Sequence, residues 1–138
     1  MEPRGLNPSA YEALADFRYE LRHFLRFSDR AAQASGLDPQ EYQLLLAVKG
    51  APPGQRATID RLVEQLQMEH RCTVELLARM ESRNLVRRSK PVVGRIEESI
   101  ELTSDAESLL PLLAAFHCSE LRSAAPTLLR ALETLLDL

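Results

Sequence analysis

Residues 58–88 read TIDRLVEQLQMEHRCTVELLARMESRNLVRR. Two helical patterns stand in this stretch, three residues apart. Thr58 is a helix-capping residue type, and Ile59, Leu62, Val63 and Leu66 recur at i, i+3, i+4 and i+7, which lays one apolar stripe along a short helix. After Gln67-Met68-Glu69 a second pattern puts Thr73, Leu76, Leu77 and Met80 inward. It leaves Arg71, Val74, Glu75, Ala78, Arg79 and Ser82 outward. Asn84, a residue type that tolerates the left-handed conformation, is the expected stop.

Downstream, Leu85–Arg88 and Ser99–Thr103 suit two short strands, and the segment between them contains Pro91 and Gly94, so a hairpin with a loose tip is predicted. Ser104-Asp105-Ala106-Glu107 has capping-box spacing and opens a leucine-rich helix to about Arg122, with a kink expected at Pro111. Ala125-Pro126 is read as opening a last helix, with Leu128, Leu129, Leu132, Leu135 and Leu136 on its apolar face. Upstream, Asn7-Pro8-Ser9 starts a helix that Gly36 ends, and Asp38-Pro39-Gln40-Glu41 resembles a capping box opening a second helix that Gly50 closes. The predicted order is four helices, a hairpin and two helices. It is a mainly α chain with a small β-hairpin wing: a winged helix-turn-helix with six helices.

The chain carries a formal net charge of -3, which argues against indiscriminate coating of nucleic acid. Its charge is nonetheless segregated. Between Arg56 and Arg95 there are nine Lys/Arg against five Asp/Glu (+4), and the remainder has eight against fifteen (-7). The second helix of such a pair fits a major groove, and its N-terminus favours phosphate. Arg71 can reach a base edge or a phosphate, while His70 can cap the helix or touch the backbone. Val74 and Glu75 lie one turn further on the same face. Glu75 can accept from a cytosine amine, with Arg79 at i+4 as the neutralising neighbour. The hairpin adds Arg87, Arg88, Lys90 and Arg95, which can clamp phosphates or enter a minor groove.

In order and spacing, the segments FRYELRHFLRFSDRA (17–31), YQLLLAVKG (42–50), residues 58–88 and GRIEESIELT (94–103) resemble the MarR family of bacterial transcription regulators. The resemblance covers about two thirds of the chain. It implies an intertwined homodimer, with residues 1–36 and 104–138 as dimerisation helices and 37–103 as the DNA-binding lobe. It also implies that His70, Arg71, Val74, Glu75 and Arg79 line the groove side and that Arg95 is the wing arginine. Gly94 stands where the family usually has an acid, and Asn84 where it commonly has a glycine. The implied function is a sequence-specific DNA-binding transcription regulator, a ligand-responsive repressor on a pseudo-palindromic operator with half-sites roughly 34 Å apart. Its effector pocket would lie between dimerising helices and lobe. Tyr19, Phe27, Tyr42 and Phe116 are aromatic candidates for that pocket, and core packing explains them equally well.

Two other function classes fit the residues. One is a winged-helix protein-interaction module, suggested by Glu69, Glu75 and Glu81. The other is a thiol-based redox-sensing regulator using Cys72. The two cysteines, Cys72 and Cys118, are expected as free, packed thiols. No spacing among His23, His117, Cys72 and Cys118 forms a metal site. No phosphate loop, nucleophile elbow or metalloprotease pair occurs, so neither an enzyme nor a cofactor is expected. The absence of a long apolar run and of a signal-peptide layout predicts a cytoplasmic protein without membrane contact. Arg18, Arg22, Arg26 and Arg30 recur at i+4 along the first helix and are read as a solvated face.

Overall fold

A computed structural model describes residues 5–89 and 98–138. Among the described residues the elements are α1 (Pro8–Ala34), α2 (Pro39–Lys49), α3 (Ile59–Leu66), α4 (His70–Ser82), β1 (Val86–Ser89), β2 (Ser99–Leu102) and α5 (Ser104–Leu136). The chain divides into two compact units, Ala32–Leu113 and the pair Met1–Ala31 with Ala114–Leu138.

In the unit Ala32–Leu113, three helix ends close by the same device. Gly36, Gln67 and Asn84 have φ of 81°, 53° and 59°. That left-handed step lets the amide of the next residue reach back to the last turn. Leu37 N–H donates to Ala32 O at 2.9 Å, Met68 to Val63 O at 3.3 Å, and Leu85 to Met80 O at 2.9 Å. The starts of α2 and α3 follow the caps expected from sequence. Asp38 N–H donates to the Glu41 carboxylate at 2.8 Å, and Arg61 N–H to Thr58 Oγ1 at 3.3 Å.

α2 packs on α3, α4 and β2. Leu44 and Leu45 of α2, Leu62 of α3, Leu76, Leu77 and Met80 of α4, and Val86 and Ile100 of the hairpin are buried. Each such side chain contributes about 1.5–3 kcal/mol. An eight-residue helix such as α3 is therefore held by this interior and not by its own propensity. The hairpin is antiparallel, with Val86 opposite Leu102 and Ser89 opposite Ser99. Ala57 adds a one-residue third strand: Ile100 N–H donates to its carbonyl at 2.8 Å, a pairing that no sequence pattern announced.

The last two predicted helices are one, and the described residues form five helices instead of six. α5 runs for 33 residues through both Pro111 and Pro126. The physical reason lies in what precedes each proline. Pro8 and Pro39 follow Asn7 and Asp38, which cap; Pro126 follows Ala124-Ala125, which favour helix and cannot cap. A proline there removes one rung without ending the ladder. The start of α5 also shifts by one residue. Its cap is Thr103, whose Oγ1 accepts from Ala106 N–H at 3.3 Å, and Ser104 is already helical.

In the other unit, α1 and α5 run antiparallel. His117 Nε2 lies 2.7 Å from Ser28 Oγ, and His23 Nδ1 lies 3.4 Å from a Glu120 carboxylate oxygen. The rings of Phe24 and Phe27 flank His117 at centroid distances of 5.8 and 5.7 Å. The small side chains of Ala10, Ala13, Ala124 and Ala131 are buried. On the outside, Leu14, Leu21 and Leu25 of α1 and Phe116, Leu121, Leu129, Leu132 and Leu136 of α5 are exposed. Among the described residues no helix is long and apolar enough to cross a membrane.

Candidate nucleic-acid interface

Inward burial of Thr73, Leu76, Leu77 and Met80 fixes which face of α4 looks out. Thr73 adds its own lock, since its N–H and hydroxyl both donate to Glu69 O, at 3.0 and 3.1 Å. Glu69, in extended conformation, is the N-cap residue, but its carboxylate makes no capping bond, and no acid stands in the first turn. The helix start is therefore left with unneutralised amide dipoles beside exposed His70 and Arg71. His70 does not cap it.

Arg71 stands out into solvent, its side chain 87% exposed. Its Nε lies 3.2 Å from Glu75 Oε1, so Glu75 pairs with the arginine one turn before it and not with Arg79, as the sequence suggested. Exposed i,i+4 pairs of this kind are worth about 0.3–0.5 kcal/mol, and a phosphate easily competes. Among the described residues Arg79 has no carboxylate partner. Val74 is half-buried between these charged positions.

On the hairpin, alternation sends Val86 inward and Arg87 outward. Arg87 Nε sits 3.4 Å from the cross-strand Glu101 and stays largely exposed. Arg88 differs. Its side chain is 27% exposed, with Nε 3.3 Å from Glu81 and Nη1 3.8 Å from Glu98. Glu81 of α4 and Glu98 just before β2 thus engage it, which leaves it less available than Arg71 or Arg87. Lys90 and Arg95 lie outside the described residues.

Tyr42 is buried in the core of Ala32–Leu113. Tyr19 and Phe116 of the other unit are exposed, Tyr19 stacking on His23 at 6.1 Å, and Phe27 packs edge-on to His117. Cys72 and Cys118, expected to be packed, are both exposed. Cys72 lies on the outer arc of α4 next to Arg71, and buried Thr73 takes the inner position. Among the described residues no three His, Cys, Asp or Glu side chains converge as metal ligands would.

One cluster escaped the sequence reading. Arg83, at the end of α4, donates to the buried carboxylate of Glu41 and, through its other amino group, to Gly36 O at 2.7 Å. Partners 42 residues apart leave no local signal.

No protein-family profile matches the sequence, and no curated protein is significantly similar to it. Solved structures are. A MarR family transcription regulator, SP03579, superposes with a TM-score of 0.73 at 19% identity, covering 92% of this chain and 87% of that one. AbsC, a MarR family regulator from Streptomyces coelicolor, gives 0.71 at 21% identity, with 88% and 82% covered. MepR of Staphylococcus aureus in complex with DNA gives 0.64 at 15% identity, with 86% and 82% covered. Likeness at such identities concerns architecture: this chain has the winged helix-turn-helix fold of MarR family transcription regulators.

Proposed function

We propose that the protein is a DNA-binding transcription regulator that acts as a homodimer in the cytoplasm. In this reading α4 enters the major groove and the hairpin lies beside it. The observation that carries the reading is the outer face of α4: an uncapped helix start with exposed His70 and Arg71, and Arg79 without a carboxylate partner among the described residues, on a fold that in MepR has been solved with DNA. Val74 and Glu75 complete that face, Arg87, Lys90 and Arg95 add phosphate contacts, and Arg88 braces the hairpin root.

The homodimer is supported by the exposed leucines of α1 and α5, Leu14, Leu21, Leu25, Leu121, Leu129, Leu132 and Leu136, apolar side chains of the kind that an interface between copies would cover. Residues 1–36 and 104–138 form the dimerising part and 37–103 the lobe. A small-molecule effector releases DNA by binding better to a dimer whose recognition helices are wrongly spaced, which makes the regulator a repressor on a pseudo-palindromic operator. Tyr19, Phe27 and Phe116 remain its candidate contacts, whereas Tyr42 serves the core.

The test is a salt series on duplex DNA with the wild type, Arg71→Ala and Arg79→Ala. Each lost phosphate contact flattens the slope of log K against log salt by about 0.9. Identical slopes for all three proteins would remove these arginines from the interface. A second reading, a winged-helix module that binds protein, is favoured by the carboxylates already beside Arg71, Arg87 and Arg88. It predicts no salt-dependent duplex binding at all.

A further inference from the structure

Arg83 is one of five basic residues in Ser82–Ile96, a stretch without an acid. Its surroundings set it apart from the cations of the outer face. Arg83 is the C-cap residue of α4. One amino group donates to the Glu41 carboxylate and the other to Gly36 O at 2.7 Å. Glu41 is only 2% exposed and also accepts from Asp38 N–H at 2.8 Å. The acceptors thus belong to the turn that follows α1 and to the first turn of α2.

We infer that Arg83 is a positioning residue: it tethers the C-terminal end of the recognition helix to the α1–α2 connection through Glu41 and Gly36, and it does not itself contact DNA. The inference rests on the DNA-binding reading above. Three arguments support it. A guanidinium engaged by a buried carboxylate through one amino group and by a carbonyl through the other has its plane and direction fixed by those two acceptors. Moving it to a phosphate would strand the Glu41 charge in the interior, an outcome far more costly than breaking an exposed pair such as Arg71–Glu75. The third argument is leverage. A 13-residue helix is about 20 Å long, so a tilt of a few degrees at this anchor moves Arg71 by on the order of 1–2 Å. Base and phosphate contacts do not survive such a shift.

The inference separates sharply from a direct contact. A phosphate contact tolerates lysine, because only charge matters; a two-acceptor tether does not, because an ammonium cannot reproduce the planar fork. Neutralising Glu41 would release a DNA-contacting Arg83 and leave binding equal or tighter; for a tether it removes half of the anchor.

The experiment measures duplex affinity and its salt slope for the full-length wild type, Arg83→Lys, Glu41→Gln, Arg83→Gln and the double variant Glu41→Gln/Arg83→Gln. All Kd values refer to the folded fraction obtained from melting curves at the assay temperature, and the double variant carries no stranded charge to unfold it. The tether predicts a roughly tenfold loss for each single variant, unchanged salt slopes, and a double variant no weaker than the worse single one, the non-additivity of two groups in one contact. Wild-type affinity in Arg83→Lys, a slope flatter by about 0.9 in Arg83→Gln, additive losses, or losses that vanish once the folded fraction is taken into account would each overturn it. If Arg71→Ala flattens the slope while Arg83→Lys binds normally, the DNA reading stands and the tether alone falls. A wild type without salt-dependent binding overturns both.

Discussion

The hydroxyl of Thr103 donates to the main-chain carbonyl of Asn84 at 2.7 Å. The same oxygen accepts from Ala106 N–H at 3.3 Å, and Thr103 N–H reaches Leu85 O at 3.2 Å. One residue therefore closes the end of the recognition helix and the start of α5 with its hydroxyl, and the root of the hairpin with its main-chain N–H. Replacing it with the isosteric Thr103→Val removes a cap and a hydrogen bond together and leaves the Asn84 carbonyl without that donor. The expected cost is about 1–3 kcal/mol in denaturant unfolding, while Thr103→Ser, which keeps the hydroxyl, stays within about 1 kcal/mol. Equal midpoints for wild type and Thr103→Val would show that the hydroxyl does not bear on stability.

Asn84 itself holds φ of 59°, and its side-chain amide donates to Asp105 at 2.9 Å. A Cβ-bearing residue without a local hydrogen bond is disfavoured in that conformation. Asn84→Ala should therefore lower stability by roughly 1–2 kcal/mol. Asn84→Gly relieves the strain, loses the exposed Asp105 bond and increases unfolded-chain entropy, terms that nearly cancel. Thermal melting distinguishes the two variants; an alanine variant as stable as the glycine one contradicts the left-handed assignment.

Pro126 lies inside a continuous helix, where it forgoes a backbone hydrogen bond and crowds the preceding turn. Pro126→Ala should raise stability, by up to about 3 kcal/mol. Had a new helix begun there, proline would be favourable at its first position and alanine would gain nothing. An unchanged or lower melting temperature would favour two separate helices.

Glu75, on the outer face of α4, pairs with a proposed DNA contact, Arg71. Glu75→Gln removes a charge that repels phosphate and frees Arg71. Affinity for duplex of arbitrary sequence is expected to rise several-fold, with a steeper salt dependence. Filter binding or anisotropy at three salt concentrations measures both. A fall in nonspecific affinity would mean that Glu75 holds Arg71 in its productive pose.

Much of the fold was legible in the chain because its signals are short-range. The three-residue gap between α3 and α4 came out residue for residue, since caps and stripes act within about four positions. Asn84 was legible for the same reason: a left-handed residue type placed directly after an apolar stripe. Gln67 plays the same role without any compositional mark. The join between the last two helices was misread because Pro126 looks identical to Pro39 unless the residues before it are weighed as caps.

For the candidate site the division is sharper. The outward set on α4 follows from helical period alone, as does the outward Arg87 from the period of a strand. How free each cation is does not follow. Arg88 is held by Glu81 and Glu98, Arg71 looks to Glu75 instead of leaving it to Arg79, and Arg83 belongs to Glu41. Sequence by itself determined the elements from α1 to β2, which faces of α3 and α4 are buried and where positive charge collects, because those depend on periodicity and neighbours along the chain. Only the tertiary structure decided which arginines remain available to a polyanion. Beyond one helical turn an ion pair is formed by whichever carboxylate the folded chain brings near, as Glu41 is to Arg83, and separation in sequence does not give that distance.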